Sequence, residues 1–176
     1  MKINWDLWNH IATIITIVWI PSVFILYAWL RKELKTLLKL NRDNYSSKRL
    51  SWKYSFDYSN NNGIFKLGEN EYFFELKFSK ASDTSIHVYR DPPSISWIAF
   101  VSWIYNFSKI KDASIYDMSS RTRTPQEWEI IILKNVYWNY CAVKIIDVKD
   151  RTRSDDKDEV TFEYVINDAW NTDFSE

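Results

Sequence analysis

Glycine is almost missing from this chain of 176 residues: there are two, Gly63 and Gly68, where ordinary usage of about 7% gives roughly 12. Tight chain reversals want a residue that accepts positive φ, and glycine accepts it at little cost. Cysteine is almost missing too. The single Cys141 excludes an internal disulfide and agrees with a reducing compartment. Its neighbours, Tyr140-Cys141-Ala142-Val143, read as strand, which makes it a buried thiol rather than a nucleophile. Of the two histidines, His10 and His87, neither stands beside a recognisable nucleophile motif, so an enzyme has little to be built from.

What is present first is an apolar run. From Ile11 through Trp19, Pro21 and Trp29 to Leu30 no side chain is charged at neutral pH, and Arg31-Lys32 end the run abruptly. A helix of that length is roughly 30 Å long, which matches the hydrocarbon of a bilayer. A core helix would show a polar stripe, and a signal peptide would have a shorter apolar region followed by small residues. The sequence therefore predicts a single-pass anchor in the cell inner (plasma) membrane, with the lipid bilayer as its first partner. Trp5, Trp8 and Trp29 fall at the two interfaces.

Charge is zero overall but unevenly placed. Residues 1–53 hold nine Lys or Arg against Asp6, Glu33 and Asp43; taking these from 23 of each sign leaves 14 basic and 20 acidic residues after Lys53. An acidic domain argues against nucleic acid as a ligand. The basic residues follow the apolar run, so the positive-inside rule puts the C-terminal part in the cytoplasm.

After Leu30, leucines 34, 37 and 38 keep a helical face. Residues 1–40 read as anchor and juxtamembrane helix, 41–50 as a basic linker and 51–176 as a β-rich domain. From Trp52 to Tyr58 aromatic and polar residues alternate, and Asn60-Asn61-Asn62-Gly63 is a turn. Ile64–Leu67, Glu71–Ser79 and Ser85–Arg90 follow as strands, the last stopped by Asp91-Pro92-Pro93. Ser94–Ile110 suits strand and helix alike and is read as strand; Ser119–Thr124 reads as an exposed loop. Trp128–Lys134, Asn139–Asp150 and Glu159–Asn167 close the chain as a meander. The expected fold is mainly β, a small antiparallel barrel or sandwich of about eight strands behind one transmembrane helix.

Ten tryptophans accompany the two glycines. Trp128, at the entry to Glu129-Ile130-Ile131-Ile132, Trp138, between two strand runs, and Trp170, in Ala169-Trp170-Asn171, stand where the local pattern asks for glycine. They read either as ordinary tryptophans of a Trp-rich chain or as glycines taken from a reassigned stop codon with the wrong translation table.

The candidate ligand site is Ser119, Ser120, Arg121 and Arg123 with Arg151 and Arg153. Hydroxyls and guanidinium groups on loops hold a phosphate or carboxylate by paired hydrogen bonds; the alternative is that these arginines pair with nearby aspartates such as Asp147 and Asp150. The acidic loop from Asp150 to Glu159 offers oxygen ligands but lacks the glycine-bearing spacing of a calcium loop, so neither metal nor cofactor is expected. The runs SKASDTSIHVYRDPPSI, YDMSSRTRTPQEWEIIILKN and AVKIIDVKDRTRSDDKDEVTFEYVI within Gly63–Ile166 resemble a poorly characterised β-rich bacterial domain found after membrane anchors and after TIR-type signalling domains. That resemblance implies glycine at 128 and 138, a sensing or docking module in bacterial defence signalling, and no catalytic residues. The resulting expectation is a membrane-anchored protein whose cytoplasmic domain binds an anionic small molecule or a protein partner. The alternatives are a membrane-disrupting effector activated by clustering and, third, an enzyme using His87 and the loop arginines.

Overall fold

The computed structural model describes residues 20–43, 45–167 and 170–175, and the chain divides into two compact units, 1–43 and 44–176. In the first unit the described residues form the helix α1, Ile20–Asp43. Its side chains Val23, Phe24, Ile25, Leu26, Tyr27, Trp29 and Leu30 are all exposed. Among the described residues no helix is long and apolar enough to cross a membrane; Ile11 and Trp19, the first part of the run read as an anchor, lie outside them.

The second unit is two five-stranded sheets. One has β1 (Ser46–Ser47), β3 (Ile64–Leu67), β4 (Phe74–Lys80), β5 (Ile86–Tyr89) and β7 (Thr122–Arg123) in the order β1-β3-β4-β5-β7. The other has β2 (Ser51–Phe56), β6 (Ile95–Val101), β8 (Ile130–Asn135), β9 (Tyr140–Lys149) and β10 (Glu159–Ile166) in the order β2-β10-β9-β8-β6. Every pairing is antiparallel except β1 with β3. The sheets stay open, so the barrel alternative is not what forms. Among the described residues ten strands replace the expected eight, because β1 and β7, two residues each, are too short to show a period.

The alternation read from the sequence sets the core. Phe74, Leu76 and Phe78 on β4 and Val160, Phe162, Tyr164 and Ile166 on β10 point inward, and their intervening neighbours do not. Phe56, Phe65, Phe78 and Phe162 meet with ring centroids 5.3–5.9 Å apart, the spacing aromatic pairs prefer. β8 and the start of β9 depart from alternation, β8 being buried along Ile130–Leu133 and β9 along Tyr140–Val143. On β8, Ile131 and Leu133 face the other sheet, while Ile130 and Ile132 join Ile110, Ala113 and Phe174 in a second cluster on the outer face. A strand covered on both faces is apolar throughout.

Two boundaries differ from the reading. Residues 41–50 are no linker: α1 runs to Asp43, and β1 pairs Ser46 with Lys66 and Ser47 with Leu67. The Tyr164 hydroxyl donates to Ser47 Oγ at 2.7 Å and reaches the Arg49 carbonyl at 2.9 Å, so this stretch belongs to the β unit. Of Ser94–Ile110, only Ile95–Val101 is strand; past it the chain makes short 3-10 turns at Phe107–Lys109 and Ala113–Ile115. Asn106 and Asp112 cap these turns by accepting from Ser108 N–H and Ser114 N–H.

The reversals carry an unusual residue. Trp103, Trp128, Trp138 and Trp170 have φ of 65°, 71°, 72° and 68°, beside 72° and 65° at Gly63 and Gly68. At Gly63 the reason for glycine is plain, since a Cβ would lie 2.2 Å from the Phe78 carbonyl oxygen. At Trp138 the chain makes an i→i+3 turn, Trp138 N–H to Asn135 O at 3.1 Å, and the left-handed residue then returns it to β9. That is a type I turn with a G1 bulge, a site that favours glycine. At Trp128 the Glu129 N–H closes a turn on Gln126 O at 3.1 Å, with positive φ at its third residue, the glycine position of a type II turn. All four rings are exposed. Lys134 Nζ lies 3.9 Å from the Trp138 ring centroid and Lys144 Nζ 5.2 Å from that of Trp128, surface contacts worth about 0.5–1 kcal/mol each.

Candidate functional site

Arg121 and Arg123 sit at the outer edge of the first sheet because β7 pairs Arg123 with Val88 and Thr122 with Tyr89. The carboxylate of Asp91, just past β5, accepts from Arg121 Nε at 2.6 Å and Nη2 at 2.9 Å. Lys77 on β4 adds a contact to Asp91 at 3.6 Å. The two-pronged hydrogen bond from Arg121 holds the Asp91 carboxyl below its usual range. Arg123 turns the other way and donates from Nη2 to the Asp117 carbonyl at 2.5 Å and its carboxylate at 2.9 Å, while its Nε is buried with no acceptor among the described residues. The Ser119 hydroxyl, then Arg123, push Asp117 well below the ordinary carboxylate range. Ser120 is spent locally, its hydroxyl donating to Thr122 O at 2.6 Å.

Arg151 and Arg153 belong to a different knot, the 3-10 turn Arg151–Arg153 that follows β9. Its centre is Asp150, fully buried. Lys80 Nζ, from the end of β4, lies 2.7 Å from Asp150 Oδ1, and Arg153 Nε lies 3.3 Å from Oδ2. Thr152 donates its N–H at 2.8 Å and its hydroxyl at 2.7 Å. Burial raises the Asp150 pKa, but the hydrogen bonds from Lys80 and Thr152 outweigh it and bring it down to about 2. Asp155 and Asp158 accept the backbone N–H groups of Asp150 and Arg151. The position a cation would take among these carboxylates is filled by the Lys80 ammonium, which also lies 3.7 Å from Asp158.

Each arginine pair thus has carboxylates of its own, and no guanidinium of one shares an aspartate with the other among the described residues. Arg151 is exposed and makes no ion pair among the described residues, which leaves it the most available of the four. The partners that the sequence did not reveal are Asp91, Asp117, Lys77 and Lys80. Asp91 was visible as the residue that ends a strand before two prolines; Lys80 carried no signal, since its contact spans 70 positions of the chain.

Elsewhere, His87 Nδ1 lies 2.8 Å from the Thr124 hydroxyl, a surface link between β5 and the chain after β7. Cys141 is buried in the core, and burial pushes its thiol far up. Among the described residues no three His, Cys, Asp or Glu side chains are grouped to hold a metal ion. Of the anchor residues, Pro21 lies in α1, and Trp29 and Leu30 are exposed on it. No family model, no curated protein and no solved structure matches the chain.

Proposed function

We propose that the chain is a single-pass membrane-tethered protein whose cytoplasmic β unit is a docking module for a protein partner, without catalysis of its own. The observation that carries this reading is the helix surface. Val23, Phe24, Ile25, Leu26 and Tyr27 are five successive apolar or aromatic residues, each uncovered. Successive helix residues turn by about 100°, so the apolar surface runs all the way round. A helix meant for water or for one packing partner keeps a polar face. Lipid covers all directions at once, each large side chain contributing about 1.5–3 kcal/mol when removed from water. The apolar run continues upstream to Ile11, and Arg31-Lys32 fit the cytoplasmic interface.

Docking to a protein rather than to an anion follows from the arginines, three of which are already held by aspartates. Of the sheet edges, the six-residue strand β2, bonded on one side to β10, is the one we assign to an extended partner segment. It presents Trp52, stacked under the Arg49 guanidinium at 3.9 Å, and Lys53.

A reporter fused after Glu176 should be active only in its cytoplasmic form, with the protein extracted by detergent and retained by alkaline carbonate; periplasmic activity or carbonate release refutes the tether. A photo-crosslinker at Lys53 should trap one discrete adduct in cells and one at Thr161 of β10 should trap none. Equal labelling refutes the edge.

A further inference from the structure

We infer that residues 103, 128, 138 and 170 are glycine in the protein that its own cell makes, and that their codons are UGA, read there by a glycine-charged tRNA. This stands apart from the tethering proposal, because it rests on backbone conformation alone. The seven described tryptophans fall into two sets. Trp29 lies in α1, Trp52 in β2 and Trp97 in β6, in helical and extended backbone. Trp103, Trp128, Trp138 and Trp170 lie at four separate reversals with φ between 65° and 72°, the range of Gly63 and Gly68.

The other non-glycine residues at positive φ are Asn61, Asn62, Asn70 and Ser154. Short polar side chains visit this region at the lowest cost because they can bond to nearby backbone, as the Asn61 amide does to the Ile64 carbonyl at 2.6 Å. Tryptophan has no such means, and yet every bulky side chain found there among the described residues is a tryptophan. No shared contact unites the four positions. None belongs to either core cluster, so a hydrogen in place of each indole removes nothing that holds the sheets together. What they share is the demand of the turn, and a decoding rule explains why one residue type meets it four times.

Tryptophan has the codon UGG, and some genetic codes read the stop codon UGA as tryptophan as well. UGA differs from the glycine codon GGA in its first base only, so one anticodon change lets a glycine tRNA read it. A gene written with UGA for glycine and translated with a UGA-tryptophan table shows tryptophan at its glycine turns and leaves each UGG tryptophan in place. That is the partition observed. It also raises the glycine count from two to six. Trp103, which the sequence pattern alone did not single out, joins the set on its φ of 65°.

The test is the gene together with the native protein. Codons 103, 128, 138 and 170 should be UGA and codons 29, 52 and 97 UGG, and peptides from protein isolated from the source cell should carry glycine at the four positions. UGG at those four codons overturns the inference. So does UGA paired with tryptophan in the native peptides, because the cell would then read UGA as tryptophan.

Discussion

Asn135 holds a hairpin and a neighbouring loop with one amide. Its Oδ1 accepts the N–H groups of Tyr137 and Asn139, both at 3.0 Å, and its Nδ2 donates to the carbonyls of Glu71 and Phe73 at 2.6 and 3.2 Å. Asn135 is buried, so Asn135→Ala strands several backbone groups and should cost about 2–4 kcal/mol in a denaturant titration. Three residues on, Trp138→Gly should do the reverse. Relief of the left-handed strain is worth about 1–2 kcal/mol and exceeds the loss of one exposed cation–π contact, so the thermal midpoint should hold or rise. A fall of the size expected for a core ring, about 3–5 kcal/mol, would show that the indole is structural. Asp150 sets an acid limit. Its folded pKa of about 2 lies below the unfolded value near 3.9, so its contribution is complete above pH ~4 and is lost as pH falls towards 2. Asp150→Asn should flatten that part of a stability-against-pH curve.

At the scale of elements, the long strands were legible and the short ones were not. Ile64–Leu67 matches β3 residue for residue, and the closing runs match β8, β9 and β10 to within two residues, because each is long enough to show a period of two or an unbroken apolar run between turn residues. β1 is Ser-Ser, held by its neighbour's backbone and by Tyr164, and nothing in two serines predicts that. The candidate site was half legible for the same reason: the arginines stand out in the sequence, whereas the aspartates and lysines that hold them come from strands brought close by folding. Tyr164→Phe tests the β1 attachment. Loss of the hydroxyl's two contacts should lower stability by about 1–2 kcal/mol and increase cleavage by trypsin at Lys48 and Arg49 under native conditions, with the rest of the β unit intact.

For the whole molecule, the division at Asp43 predicts that the chain from Asn44 onward folds alone. Purified without α1 it should be soluble, give a β-type spectrum and melt in one cooperative transition; loss of cooperativity would show that the helix is part of the fold. The strand order of the second sheet governs how the chain leaves the ribosome. Its two edges, β2 and β6, are complete by Val101, whereas the three strands between them begin only at Ile130 and the last of these starts at Glu159. At elongation rates of roughly 5–20 residues per second, β2 waits on the order of 5–20 seconds for β10, the strand it pairs with in the sheet. A nascent chain halted between Val101 and Ile130 carries the rims of a sheet without its middle, two edge strands with nothing yet to pair them.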